Sequence, residues 1–187
     1  MIDQSADVAK QVENVVEGGS DVTKILKETD KFTEYLNDAG EKIRIPKQVS
    51  NTIEDSITKN LDSLNVGSKI EAEVANYIKN NTSAEITDYA NKVKNSSGQV
   101  IGDIDCATTN ELIEVKKSIS SVKVEQFDKY VDSTNPNYLN VDNKKVILFV
   151  EEYIDMTNPS NLAKITELQE KGVTIINGLD ELKGVIE

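Results

Sequence analysis

The sequence contains no histidine and only one cysteine, Cys106. A single cysteine excludes an intrachain disulfide and a zinc site built from several thiolates. The absence of histidine excludes Ser-His-Asp and Cys-His catalysis, and it leaves general acid–base chemistry to Asp, Glu, Lys or Tyr. Carboxylates that bind a hard divalent cation are therefore the natural route to catalysis in this chain.

Long apolar runs are also missing. No uninterrupted apolar segment is long enough to cross a bilayer, so we expect no stable membrane insertion of this segment. The first seven residues lack the basic and apolar blocks of a secretory signal, although a signal could lie on a longer parent protein.

Positively charged residues are fewer than negatively charged ones. The net charge is −12, and Arg44 is the only arginine. This charge opposes non-specific binding to nucleic acid, which depends on Lys and Arg that neutralise phosphates. The objection is met if a bound metal offsets acidic residues in a site and if the lysines cluster locally. An acidic surface also suits docking to a basic protein partner.

Apolar residues in the first third of the chain recur with helical spacing. A first helix ends at Gly18-Gly19, a second runs from a Ser20 cap to about Gly40, and Pro46 opens a third. We therefore predict a helical N-terminal module over residues 1–65, an entry or linker region without a catalytic role. The segment Asn65-Val-Gly67 is the expected boundary with a second domain, residues 66–187.

The pattern beyond this boundary changes to a mixture of helices and strands. We predict the order α-β-β-β-α-β from Ser68, followed by α-β-α, and an α/β fold of the α+β type with a mixed sheet. The expected ranges are helix 68–80, strands 84–93, 99–107 and 111–118, helix 122–131, strand 144–150, helix 161–171, strand 173–176 and a short helix from 179.

Charged residues lie on the second and third of these strands. Alternation along a strand places Asp103 and Asp105 on one face, and Glu114 and Lys116 on one face of the next strand. If the two strands pair as a hairpin, Asp105 and Glu114 can hold one divalent cation that activates a water. Lys116 could orient that water or stabilise charge that develops on a phosphate.

The segment Ile113-Glu-Val-Lys116 also fits a half-buried strand with a charged solvent face. Carboxylates on two adjacent strands that point to one spot are costly without a cation, and this favours the functional interpretation.

The segments Gly102-Asp-Ile-Asp105 and Leu112-Ile-Glu-Val-Lys116, joined by a short turn, resemble the PD-(D/E)xK nuclease superfamily. The core of that family has the same α-β-β-β-α-β order. The resemblance covers roughly residues 67–150 and implies Mg²⁺ or Mn²⁺ bound by Asp105 and Glu114, with Lys116 as the catalytic lysine. The proline that usually precedes the first aspartate is absent, as in divergent members.

Two helices extend the resemblance. Gly67-Ser-Lys-Ile-Glu71 and the following Tyr77-Ile78 resemble a helix of resolvase-like members, which implies that Glu71 is a further catalytic residue and metal ligand. Helical phase alone does not separate Glu71 from Glu73. Gln126 and Tyr130 resemble a Gln-x-x-x-Tyr helix that lines the active site in some members. A core tyrosine beside a solvated glutamine is the alternative for this pair.

A helical segment before a compact, cysteine-poor nuclease resembles the C-terminal toxin region of contact-dependent growth inhibition and related polymorphic toxins. Val12-Glu-Asn14 is similar to the Val-Glu-Asn-Asn boundary of such regions, with Val15 in place of the second Asn. The resemblance implies a toxin that is secreted or delivered from the cell surface as part of a larger bacterial protein. Such a toxin cleaves nucleic acid in the cytoplasm of a target bacterium and is blocked by a cognate immunity protein.

The substrate and two alternatives stay open. We favour tRNA over DNA, because a compact RNA met through Lys116, Lys117, Lys123 and Lys129 needs fewer phosphate contacts than a duplex. The first alternative is a DNA-specific nuclease of the same superfamily, a toxin or a repair or restriction enzyme. The second is an acidic immunity or interaction protein without enzymatic activity.

Overall fold

The computed structural model describes residues 24–186 and contains one eight-stranded sheet with five helices. Within this range no helix is long and apolar enough to cross a membrane. The strands are β1 Lys24–Glu28, β2 Phe32–Leu36, β3 Lys42–Pro46, β4 Ile86–Asn95, β5 Val100–Thr108, β6 Glu111–Lys116, β7 Lys145–Val150 and β8 Thr174–Asn177. The helices are α1 Ser50–Leu61, α2 Val66–Asn81, α3 Asp128–Val131, α4 Pro159–Glu170 and α5 Leu179–Leu182.

The prediction of a helical N-terminal module is wrong over residues 24–46, where the chain forms the three antiparallel strands β1 to β3. The turn between β2 and β3 is closed by the N–H of Gly40, which donates to the carbonyl of Asn37 and whose φ of 78° suits glycine. Ile43 and Ile45 of β3 alternate with charged residues, a pattern with the period of a strand. The third predicted helix is confirmed as α1. The helix expected before Gly18-Gly19 lies outside the described residues.

Contacts cross the boundary that we expected near residue 65. β3 pairs with β4 through Ile43↔Asn95 and Arg44↔Lys94. α1 packs on α2, and Asn60 Nδ2 donates to the hydroxyl of Tyr89 at 3.0 Å. The sheet is therefore continuous from β3 into the strands of the second range, and the separate roles of the two ranges stay a prediction.

The element order predicted from Ser68 onward is confirmed, as is the mixed sheet. The strands follow one another across the sheet in chain order; β1 to β6 are antiparallel, whereas β6, β7 and β8 are parallel. β5 therefore lies beside β6, as the short turn between them requires.

The single helix expected over residues 122–131 is wrong. A 3₁₀ turn over Val124–Phe127 runs instead into the short helix α3. Val124, Phe127 and Tyr130 are all buried. Their spacing of three residues matches a 3₁₀ turn better than the 3.6-residue period of an α-helix.

The sheet carries one apolar layer on each face. α1, α2 and α5 cover one face, where Ile70, Val74 and Ile78 of α2 pack on Ile113 and Phe149. The 3₁₀ turn, α3 and α4 cover the other face. Residues of β5, β6, α2 and α3 meet at one end of the sheet, and the charged residues singled out above lie there.

Candidate functional site

β5 and β6 separate at the point where their acidic residues lie. The two strands pair only at Cys106↔Ile113 and Ala107↔Leu112. At the next position a side chain takes the place of the hydrogen bond between the two backbones: Asp105 Oδ2 accepts a hydrogen bond from the N–H of Val115 at 2.8 Å. A buried N–H needs a partner, and the Asp105 carboxylate satisfies it while the strands part. The sheet therefore opens between Asp105 and Glu114.

Glu114 lies at the centre of the hydrogen bonds in the site. It is only 2% exposed, and its Oε1 accepts hydrogen bonds from Lys116 Nζ and from Gln126 Nε2, the latter at 2.6 Å. Its Oε2 accepts from the Tyr130 hydroxyl, also at 2.6 Å. Three side chains, from β6, the 3₁₀ turn and α3, therefore orient one buried carboxylate. The structure brings Glu114 into direct contact with Lys116, Gln126 and Tyr130.

Asp105 is buried near Glu114. Burial, which is the larger cause, and the nearby Glu114 charge together raise the pKa of Asp105 to about 8. The Val115 N–H and Lys116 act in the opposite direction. Without a cation, Asp105 is therefore largely protonated at neutral pH, and a bound divalent cation would favour its ionised form.

Lys116 and Tyr130 are both held in the protonated state. Burial lowers the pKa of Lys116, but the charges of Glu114, Asp105 and Asp103 outweigh burial and raise the pKa overall. Burial also raises the pKa of Tyr130, as does its contact with Glu114. At neutral pH the site contains an ammonium group and a neutral phenol, and both serve as hydrogen-bond donors.

Glu71, rather than Glu73, faces the site. Burial raises the pKa of Glu71, and the charges of Asp103 and Glu114 add to this effect while Lys116 opposes it. Glu73 instead lies 3.9 Å from Lys69 and lines a separate pocket with Glu151 and Asp180. The choice of Glu71 that the family resemblance implied therefore agrees with its position, and its role stays a prediction.

The carboxylate oxygens of the site are the kind of ligand that a hard cation prefers. Among residues 24–186, no group of three or more acidic or thiol side chains converges closely enough to enclose a metal by itself. Within the same range, Asp105 Oδ1 and the carboxylates of Glu71 and Asp103 accept no hydrogen bond. One or two carboxylates with waters in the remaining positions are a common set of ligands for Mg²⁺. Asp105 and Glu114, with Glu71 nearby, would hold such an ion.

Gly102 makes room for Lys129, one of the lysines that we expected to contact RNA. A Cβ at Gly102 would lie 2.7 Å from Leu139 Cδ1 and 3.2 Å from Lys129 Nζ. The Lys129 ammonium lies 4.8 Å from the centre of the Tyr130 ring. A glycine inside a strand indicates close approach by another group, and this was the available sequence signal.

Lys164 of α4 and Lys171, which follows that helix, support the segment that carries Gln126 and Tyr130. Lys164 Nζ donates to the carbonyls of Ile119, Ser120 and Val122 at 2.9 to 3.2 Å. Lys171 Nζ lies 2.6 Å from Asp128 Oδ1. Both contacts join residues far apart in the chain, so no local sequence pattern pointed to them.

Comparisons of the chain with protein-family models, with curated proteins and with solved structures find no match.

Proposed function

We propose that this chain is a metal-dependent nuclease of the PD-(D/E)xK type, with Asp105 and Glu114 as metal ligands and Lys116 as the catalytic lysine. The observation that supports the proposal is the opening between β5 and β6. There a buried Asp105 faces a buried Glu114 that already contacts Lys116, Gln126 and Tyr130. Such a concentration of buried charge costs stability unless a ligand offsets it.

The side chains suit hydrolysis of a phosphodiester. A Mg²⁺ or Mn²⁺ ion bound there would supply Lewis acidity toward the phosphate and lower the pKa of a bound water. Because Lys116 stays an ammonium group, its role is to stabilise negative charge on the phosphate or to orient the water, and not to accept a proton. Gln126 and Tyr130 hold Glu114 in place by donating to both of its oxygens.

We further propose tRNA as the preferred substrate. Lys117 follows Lys116 immediately and is 56% exposed, with its ammonium 3.5 Å from Glu152 Oε1. Lys123 and Lys129 follow within thirteen residues of Lys116. Arg44 is engaged elsewhere, 2.6 Å from Glu34. Few phosphates can be neutralised by so small a set, and this favours a compact structured RNA over a long duplex.

The proposed biological role is a toxin carried by a larger bacterial protein that is secreted or displayed at the cell surface. It would act in the cytoplasm of the target bacterium and be neutralised by a cognate immunity protein. An acidic chain favours a basic face on that partner, because opposite charges speed and orient association.

The decisive experiment compares Lys116→Ala with Lys117→Ala, because these neighbours differ in burial and in contact with Glu114. Each protein is incubated with total tRNA and with plasmid DNA, in Mg²⁺ and in EDTA. We expect wild type to cleave in Mg²⁺ alone and Lys117→Ala to bind tRNA more weakly but to keep its rate at saturating substrate. Lys116→Ala should lose at least about 100-fold in that rate, the scale of a lost electrostatic stabiliser. Near wild-type cleavage by Lys116→Ala would refute the assignment.

Further variants separate the alternatives. Asp105→Ala and Glu114→Ala should abolish turnover and weaken Mn²⁺ binding in a calorimetric titration, and Glu71→Ala should have a milder effect. Cleavage of plasmid alone would indicate a DNA-specific nuclease. An absence of both cleavage and Mn²⁺ binding would indicate an interaction protein without enzymatic activity.

A further inference from the structure

A second surface lies beside the candidate site on the face covered by α2 and α5. A pocket of about 190 Å³ opens there, with Ile70, Val74 and Phe149 in its floor and Leu179 at its side. The floor residues are almost fully buried, so the pocket is a shallow apolar depression rather than a cavity in the core.

The rim of this pocket is acidic. Glu73, Glu151 and Asp180 line it, and Glu73 is partly balanced by Lys69 at 3.9 Å. Glu151 and Asp180 form no ion pair with any residue from 24 to 186. An apolar floor with unbalanced carboxylates around it suits a lysine or arginine side chain, whose aliphatic stem packs on apolar surface while its charged head stays at the rim.

An exposed aromatic side chain lies near the pocket residue Glu151 in the chain. Tyr153 follows Glu151 by two residues and is 84% exposed, and every other aromatic side chain among residues 24–186 is at least partly buried. Tyrosine and arginine dominate the energetic centres of protein–protein interfaces, and tyrosine gains contact area there at small entropic cost.

The loop that carries Tyr153 is held firmly. Asn177 Nδ2 donates to the carbonyls of Val150 and Glu152, and Asn177 Oδ1 accepts from the N–H of Ile154. The N–H of Glu151 donates to the carbonyl of Lys116 at 3.0 Å. The surface is therefore preorganised, which lowers the entropic cost of binding, and it adjoins the strand that carries Lys116.

We propose that this pocket, its acidic rim and Tyr153 form a docking surface for a basic segment of a partner protein, with an arginine or lysine side chain seated in the pocket. Nucleic acid does not fit the surface, because its phosphates would meet the unbalanced carboxylates of Glu151 and Asp180. The identification of this partner with the immunity protein rests on the proposed function, whereas the binding itself does not.

The test is a titration of the full-length ¹⁵N-labelled chain with the peptide acetyl-Ala-Arg-Leu-Arg-Ala-amide, followed by amide chemical shifts. The matched control peptide carries citrulline, which has the shape of arginine without its charge. We expect shifts at residues 151–153 and 178–180, with at least fivefold weaker binding of the citrulline peptide. Asp180→Asn, Glu151→Gln and Tyr153→Ala should each weaken binding about threefold, the scale of an exposed charge pair or a rim contact.

Glu170→Gln, which removes an exposed carboxylate of α4 on the opposite face, should leave the affinity unchanged. Equal binding of the two peptides would overturn the proposal, as would shifts confined to residues 103–116. Tighter binding of a twelve-nucleotide RNA at residues 151–153 and 178–180 would also overturn it. The titration involves no turnover, so a chain without nuclease activity that still binds the peptide would refute the proposed function and leave the docking surface standing.

Discussion

Asp105→Asn should stabilise the protein in the absence of metal, and the gain should grow with pH. An ordinary aspartate has a pKa near 3.9, whereas burial and Glu114 raise the pKa of Asp105 to about 8 in the folded chain. Between these two values the folded state retains a proton that the unfolded state has lost. Stability therefore falls as pH rises from about 4 to about 8, by roughly 1.4 kcal/mol per pH unit from this group.

Asparagine keeps the shape of aspartate, and its Oδ1 can accept the hydrogen bond from the N–H of Val115, but it cannot ionise. The advantage of Asp105→Asn over wild type should therefore be small near pH 4 and reach roughly 5 kcal/mol by pH 8. Mg²⁺ should reduce this advantage by about 2.7 kcal/mol at 100 times its Kd, because it stabilises the folded wild type, whereas the variant has lost a charged metal ligand.

Urea unfolding at pH 5, 6, 7 and 8, in EDTA and in Mg²⁺, measures both effects. Asp103→Asn is the matched control, because Asp103 lies two residues away on the same strand with an exposed carboxylate that stays hydrated in both states. A stability difference between wild type and Asp105→Asn that does not change with pH would refute the reasoning. So would destabilisation by Asp105→Asn at pH 7 in EDTA.

Other perturbations should give equally distinct results. Tyr130→Phe removes a donor to buried Glu114, and we expect a loss of about 1–3 kcal/mol in urea unfolding together with slower tRNA cleavage. Gly102→Ala places a methyl group against Leu139, and thermal unfolding should show a loss of about 1–3 kcal/mol, with an unchanged melting temperature as the contrary result. Removal of residues 1–65 deletes the buried contacts of α1, so thermal unfolding followed by circular dichroism should show a less stable chain. A cleavage assay should show that its folded fraction still cleaves tRNA.

Much of the second range could be predicted from the sequence because its signals are local. The order of elements from Ser68 follows from a change between helical and strand periodicity, punctuated by turn residues. The proximity of Asp105 to Glu114 follows in the same way, because a two-residue turn between β5 and β6 leaves a hairpin as the natural arrangement.

The N-terminal third was harder because its apolar residues fit two periods. Phe32, Tyr35 and Leu36 follow helical spacing, yet they lie in strand β2, whereas Ile43 and Ile45 of β3 alternate as a strand does. The choice between helix and strand is made by pairing with β3, and through β3 with β4, fifty residues further along. Tertiary context commonly overrides local propensity in this way.

Asp105, Glu114 and Lys116 could be selected from the sequence because residue type and strand alternation are local properties. Glu71, Gln126 and Tyr130 were selected through the resemblance to the nuclease family. Three features of the site are visible in the tertiary structure alone. β5 and β6 separate at Asp105, and Glu114 accepts hydrogen bonds from three side chains. Glu71, rather than Glu73, faces these side chains. These features depend on groups brought together from separate elements, and on burial that shifts pKa values once water is excluded. No window of neighbouring residues contains that information.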